Sequence, residues 1–378
     1  MAIVPDDAGV DVIAAVDGTP ALRPQPSGTE VYARQVIEAL AAARDVRTLR
    51  VYGNAAKRPD WLSAEVEWRG IPFPRLWTHW RFRQALHRDA PDVVFVPSHV
   101  IPIGLRLPAV VTIHDVGHRR ERSAYRPTAW WYLELMTRSM ARRARRLIAV
   151  SQSTATDLQR FYHVPSERIV VVHSGIDPRM VPPTAAAVQA VIERYQLPHQ
   201  YYLYLGRNHP RKNLGMLRRA FADARRRGLT ASLVMAGPGH EAAPPADGVQ
   251  TLSYVPAEDL PALYGGALAL TLPSRFEGFG FPVLEAMQCG TAVLASEAGA
   301  LPEIVGSAGI LLSPDDPGAW GQAMLELSHD VELQRRLITA GAARSATFSW
   351  ERAATQIWRV LDDASRPTPA RQAAAASR

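Results

Sequence analysis

Two glutamates eight residues apart, Glu277 and Glu285, stand in the run Pro273-Ser-Arg-Phe-Glu-Gly-Phe-Gly-Phe-Pro-Val-Leu-Glu-Ala-Met-Gln-Cys-Gly290. Ionised carboxylates accept hydrogen bonds, so such a pair suits a ligand rich in hydroxyl groups. Between them Gly278, Phe279 and Gly280 form a flexible loop, and Pro282 suits the first position of a short helix that Gly290 closes. The start of that helix offers unpaired amides and the positive end of a dipole, which together cradle phosphate. Glu277 belongs to the loop and Glu285 to the opening helical turn, so the two flank the cradle rather than share one helical face.

A second group, Leu205-Gly206-Arg207-Asn-His-Pro-Arg-Lys212-Asn213-Leu214, again follows an apolar run. Gly206 permits a sharp turn. Arg207 offers a planar fork and Lys212 a point charge, a pair suited to a diphosphate. Asn213 is placed to cap the next helix, and Arg211 reads as a solvated cation. The chain has 43 Lys+Arg, and only two of them, Lys57 and Lys212, are lysines. Where arginine is the default cation, a lysine in such a loop calls for a reason.

Weaker signals complete the set. Pro26-Ser-Gly28-Thr29-Glu30 opens a helix after the first strand, either as a plain turn or with its amides facing a cleft. His114 ends a strand beside Asp115. Gly237-Pro-Gly239 ends another strand and suits a phosphate- or ribose-side turn, and Tyr254-Val255-Pro256 could border a nucleobase. Cys289 has an apolar setting and no activating base, so it reads as core.

These residues need elements to hold them. Apolar runs at Val10–Val16, Val46–Val51, Val93–Val96, Ala109–Ile113, Leu147–Val150 and Ile169–Val172 read as buried strands, alternating with helical segments such as Glu30–Ala42 and Trp130–Arg146. After Pro182-Pro183 and a helix near Ala186–Tyr195, the alternation restarts at Tyr201–Leu205, Ser232–Ala236, Val249–Leu252, Leu268–Leu272, Ala292–Ala295 and Gly309–Leu312. The pattern predicts an α/β protein of two doubly wound parallel sheets facing a cleft. Ligands of such sheets bind beyond the carboxyl ends of strands, where every motif above lies. The expected division is 1–175, then 176–347, a helix at 348–365 and a mobile tail at 366–378.

Composition narrows the classes. With 378 residues, 47% hydrophobic and 21% charged, the chain is globular and long enough for two domains. One cysteine excludes a disulfide framework or a Cys-based metal site, and fits a reducing compartment. No signal peptide or membrane span is legible, so a cytoplasmic protein is expected. The net charge of +7 is one-sided: residues 1–175 hold 24 Lys+Arg against 17 Asp+Glu, and residues 176–378 hold 19 of each. Much of the excess lies in Arg75–Arg88 and Arg119–Arg146, interleaved with Trp77, Trp80, Phe82, Trp130 and Trp131. That mixture fits a solvated helix face, an anionic membrane surface or nucleic acid; nucleic acid is the least favoured. There is no Asp-x-Asp triplet, so no divalent clamp is expected, and the missing Gly-x-x-x-x-Gly-Lys-Ser/Thr and Gly-x-Gly-x-x-Gly loops disfavour ATPases and dehydrogenases.

Taken together, SRFEGFGFPVLEAMQCGTAVLAS and the following AGALPEIVGSAGILLSPDD resemble the family 4 glycosyltransferases, retaining enzymes of the two-Rossmann GT-B fold. Glu303 falls at that family's Pro-Glu position. Gly206-Arg207 with Arg211-Lys212-Asn213 is similar to its phosphate-binding motif, VHSGID to the segment before its interdomain linker, and FSWERAA to the start of its returning C-terminal helix. The likeness is strong over residues 145–360 and weaker before, where SGTE departs from the commoner glycine pair. The resemblance implies that Arg207 and Lys212 hold the diphosphate of a nucleotide sugar and that Glu277, with the amides of Gly278, Phe279 and Gly280, holds the sugar hydroxyls. Glu285 would take the ribose, with Gly206, Gly237 and Val255 lining the donor site. His114 would lie near the reacting sugar, and Gly28 would approach the phosphates across the cleft. Implied too are retention at the sugar C1, no metal or other cofactor, and a saccharide or lipid-linked saccharide acceptor. GDP-mannose is the first donor it suggests, by similarity to bacterial surface-polysaccharide mannosyltransferases. The competing expectations are a sugar-nucleotide epimerase of the same fold and a non-catalytic membrane- or nucleic-acid-binding protein using the basic N-terminal face.

Overall fold

A parallel sheet covered on both faces needs strands that are apolar on both sides, and this chain supplies two sets. The computed structural model describes residues 12–23, 28–73, 77–98, 100–240 and 245–366. Pro26, Ser27, Arg75 and the proposed tail beyond Arg366 lie outside the described residues. The first sheet holds β1 (Ile13–Asp17), β2 (Thr48–Gly53), β3 (Glu67–Gly70), β4 (Val93–Val96), β5 (Ala109–Ile113), β6 (Arg146–Ala149) and β7 (Ile169–Val171), in the order β3-β2-β1-β4-β5-β6-β7. The second holds β8 (Tyr201–Leu205), β9 (Ser232–Ala236), β10 (Val249–Leu252), β11 (Ala269–Leu272), β12 (Ala292–Ser296) and β13 (Ile310–Leu312), in the order β10-β9-β8-β11-β12-β13. Neighbouring strands pair in parallel throughout, with Val16 opposite Val51 on one side and Phe95 on the other. Interior strands such as β4, β5, β11 and β12 are buried along their whole length.

One strand was not expected. β3 (EWRG) is a partly exposed edge strand paired only to β2, so it needs no apolar run, and Trp68 is its one large apolar side chain. The helix expected at Trp130–Arg146 runs instead from Pro127 to Arg143. Pro127 sets the first turn, Arg126 before it is extended, and the chain leaves the helix at Ala144 to enter β6.

The chain passes between the two sheets twice. A Cβ on Gly175 would fall 2.2 Å from the backbone nitrogen of Trp350, so the linker after β7 and the start of the last helix, Trp350–Ser365, lie against each other. That helix packs back on the first sheet. Trp358 is 1% exposed and donates its indole N–H to the Leu40 carbonyl at 3.0 Å. Arg47 grips Asp362 with two nitrogens and covers the Trp358 ring, and Arg146 pairs with Asp363. Among the described residues no helix is long and apolar enough to cross a membrane.

Removing the Trp358 side chain takes away a large buried ring and leaves the Leu40 carbonyl unpaired. Trp358→Ala is expected to destabilise the protein by about 3–5 kcal/mol, read as a lower urea midpoint for the first sheet.

Candidate active site

In each sheet one central strand has neighbours from opposite windings: β1 lies between β2 and β4, and β8 between β9 and β11. Loops leaving the carboxyl ends of such strands diverge and open a crevice. At the second of these points, the loop after β8 carries Gly206–Lys212 and the loop after β11 carries Ser274–Gly280. The Gly237–Gly239 turn after β9 lies on the first of them: Asn208 donates its backbone N–H to Pro238 at 3.0 Å, and His240 Nε2 donates to the Gly206 carbonyl at 2.8 Å.

Glu277 is the centre of this crevice. Its side chain is only 8% exposed, and its carboxylate accepts from Lys212 Nζ at 2.5 Å, Arg211 Nη1 at 3.1 Å and Ser274 Oγ at 2.5 Å. Burial alone would raise this carboxyl, but the two cations beside it prevail and hold it at about 2. An ammonium has three donors, so Lys212 can keep Glu277 and still reach an anion. Arg211 also donates to the Phe276 carbonyl at 2.8 Å, and its own carbonyl accepts the Arg275 N–H at 2.8 Å, tying the two loops together.

The helix after the glutamate runs from Phe281 to Gln288 with Gly280 as its N-cap at φ +102°, a conformation that favours glycine. Its first amides therefore carry no side-chain cap. Pro282 is its second residue and Glu285 its fifth, so Glu285 stands beyond the opening turn where it was expected. Tyr264 donates to Glu285 at 2.7 Å, and burial raises its carboxyl, the opposite of Glu277.

The first sheet meets this loop closely. A Cβ on Gly278 would lie 2.0 Å from the His114 carbonyl oxygen and 2.7 Å from Asp115 Cβ, so only glycine fits there. Ser151 caps the helix Gln152–Tyr162 and donates to the Gly278 carbonyl at 2.7 Å. The same helix start binds Glu303, whose carboxylate accepts from the Gln152 N–H at 2.9 Å and, at 2.6 Å, pairs with His173 Nε2. A carboxylate there complements the helix dipole. His114 Nε2 lies 2.8 Å from the Pro97 carbonyl and so carries the proton, while the Tyr32 ring meets the imidazole edge-on at 4.6 Å. Gly28, first residue of the helix Gly28–Ala42, faces Phe281 at ordinary contact distance.

A buried, ionised carboxylate flanked by fixed cations and an uncapped helix start can bind a molecule that is anionic at one end and hydroxylated at the other. Residues 26–179 match the family described as Glycosyltransferase Family 4, and residues 199–330 match the one described as Glycosyl transferases group 1. The chain is a family 4 glycosyltransferase. It is 29% identical over 370 residues to the O-antigen chain mannosyltransferase B of Escherichia coli, covering 87% of this chain and 94% of the relative. It is 30% identical over 278 residues to the MMP alpha-(1->4)-mannosyltransferase of Mycolicibacterium hassiacum, covering 68% of this chain and 66% of that one. The Alr3699/HepE structure from Anabaena in complex with UDP-glucose superposes with a TM-score of 0.73 at 17% identity, over 93% of this chain and 99% of that one. The likeness to such structures establishes the GT-B fold.

In this glycosyltransferase, then, Glu277, Lys212, Gly206 and Gly237 converge on one crevice, with His114 and Gly28 facing it from the first sheet. Arg207 is exposed and has no ion-pair partner among the described residues. Val255 is buried in the second core at 7% exposure, so its side chain packs rather than lines an open surface. Arg211 is not the solvated cation expected: its side chain is withdrawn into the site, and burial, which would lower its pKa, is outweighed by Glu277 and Asp115. Asn213 occupies the cap position but sends its amide to the Pro314 carbonyl at 2.7 Å instead of capping. Sequence reading assigned no role to Ser151, Ser274 and His173. For Ser151 the available signal was its residue type, a good N-cap directly after an apolar run, and it marks a helix start, not a contact between sheets. Cys289 is buried, and burial pushes its thiol up to about 12.

Because the Glu277 carboxyl falls from its ordinary 4.5 to about 2 on folding, its contribution to stability is complete above pH 4.5 and is lost as pH falls towards 2. Glu277→Gln is thus expected to be less stable than wild type at pH 7, with the gap in denaturation midpoint shrinking near pH 3. An unchanged gap at the two pH values would contradict the ion pairing.

Proposed function

We propose that this glycosyltransferase moves a hexosyl group from a nucleotide diphosphate sugar to a saccharide or lipid-linked saccharide, with retention at C1 and without a metal ion. The observation that carries the reading is Glu277 held ionised by Lys212 and Arg211 at the strand crossover of the second sheet. Cations fixed at that point can stabilise the charge that develops on the leaving diphosphate without reorganising. In this reading Arg207 and Lys212 take the diphosphate, while Glu277 and the Gly278–Gly280 backbone take sugar hydroxyls. Gly206 and Gly237 border the diphosphate, Glu285 the ribose and the backbone at Val255 the nucleobase side. His114 lines the reacting face and Gly28 approaches from the first sheet. An acceptor attacking from the face of the departing phosphate can pass its proton to the leaving oxygen, which retains configuration. Closing the sheets over the donor excludes water and limits hydrolysis.

Mannose from GDP-mannose is the donor to test first, since the two relatives above are named mannosyltransferases. Thermal shifts across a panel of nucleotide sugars would rank donors by affinity. Lys212→Ala is expected to slow transfer by at least about a hundredfold, given about 1.5–3 kcal/mol for a charge-assisted contact in the ground state and more in the transition state. A variant within threefold of wild type would remove Lys212 from the mechanism. Proton NMR of the product tests retention, chelator treatment tests metal independence, and turnover of donor without acceptor would favour an epimerase.

The acceptor side carries a basic, aromatic surface. Trp80 is 62% exposed, Trp131 56%, Tyr132 59% and Leu135 56%; the exposed Arg81 follows Trp80, and the exposed Arg138 and Arg142 lie on the helix that carries the other three. Such a mixture suits an anionic lipid surface, consistent with a lipid-linked acceptor and a protein peripheral to a membrane. Replacing Trp80 and Trp131 by Ser is expected to weaken sedimentation with anionic vesicles at low salt and leave nucleotide affinity unchanged; equal sedimentation would remove the membrane partner.

A further inference from the structure

Tyr125 belongs to the first sheet's half of the molecule but sits against the second. It follows the turn Arg122–Ala124 and is half-buried, with its ring centroid 5.6 Å from that of His209 in the basic loop after β8. Its hydroxyl is 3.2 Å from the point where a Cβ on Gly117 would lie. The same point is 3.1 Å from Asp115 Oδ1 and 3.2 Å from the Phe276 ring, the residue just before Glu277. Asp115 Oδ1 accepts the Gly117 N–H at 2.8 Å, which fixes the turn and leaves its second oxygen available. No hydrogen-bond partner for the Tyr125 hydroxyl exists among the described residues. Burial pushes that phenol up to about 12, with Asp115 and Glu277 reinforcing the shift and Arg211 opposing it, so it is a neutral O–H donor at every working pH.

This inference rests on the glycosyl-donor reading and deepens it. We propose that Tyr125, with Asp115, forms the first-sheet wall of the pocket for the transferred sugar, recognising its hydroxyl groups and making closure over the donor depend on the sugar. The charges decide between the two ends of the donor. Asp115 Oδ1 and the Tyr125 hydroxyl lie beside the same point, and Glu277 directly follows Phe276, whose ring lies there too; a carboxylate such as Asp115 repels a phosphate but accepts hydrogens from sugar hydroxyls. The diphosphate end belongs with Lys212 and Arg207; the hydroxylated end belongs here. The hydroxyl is the specifying group, since a site built to hydrogen-bond a substrate hydroxyl discriminates more sharply than an apolar wall.

The test compares binding of GDP-mannose with GDP, and of UDP-glucose with UDP, by calorimetry on wild type and Tyr125→Phe, which keeps the ring against His209. The expected result is that Tyr125→Phe loses at least about tenfold in affinity for the sugar nucleotide the wild type prefers, with nucleoside diphosphate affinity within about twofold of wild type. Transfer kcat/KM for that donor should fall by the same factor or more. Unchanged sugar-nucleotide affinity, or equal weakening of sugar nucleotide and diphosphate, overturns the assignment. A wild-type protein that binds none of the four ligands overturns the glycosyl-donor reading itself, and this inference with it.

Discussion

A carboxylate buried between two sheets survives in its charged form only if its neighbours make the interior tolerable to it. For Glu277 those neighbours are Lys212, Arg211 and Ser274, and each comes from a loop that begins where a central strand ends. Two charges of opposite sign, taken from water together and held within hydrogen-bond distance, offset a desolvation cost that neither could bear alone. The pairing therefore fixes more than itself. It sets the distance between the β8 and β11 loops, and Arg211 repeats the tie through the Phe276 carbonyl. Gly278, next after Glu277, can then press against the other sheet because its starting point does not move.

Polar, directional bonds also join the two sheets. Ser151 gives its hydroxyl to Gly278, Glu303 occupies the start of the helix Gln152–Tyr162, and His173 holds the same carboxylate. Such bonds can be exchanged for water without the large penalty of exposing apolar area, which suits surfaces that must separate to admit a substrate.

Much of this was legible beforehand, and the parts that were not share a cause. Strands buried on both faces announce themselves as apolar runs, and all but one were placed within a few residues. β3 escaped because an edge strand can be polar. Glu277, Lys212 and the glycine turns were visible because they follow strands and because a lysine is rare in this chain. Arg211 was invisible for the opposite reason: among dozens of arginines, nothing in the letters separates a guanidinium withdrawn beside a carboxylate from one in solvent. Ser151 and Tyr125 act across the gap between sheets, and their partners lie more than eighty residues away. Local pattern carries no trace of such distances; only the crossover rule for parallel sheets hints that their loops meet.

The last helix has a consequence for how the molecule is made. Trp358 and its arginine-bound carboxylates complete the first sheet's core, yet they are translated after the entire second sheet. During synthesis the first half must wait, with one flank uncovered, until the ribosome has released the residues that seal it. The order of manufacture and the order of assembly thus run in opposite directions, and the nascent first half is the part most in need of protection from its neighbours in a crowded cell.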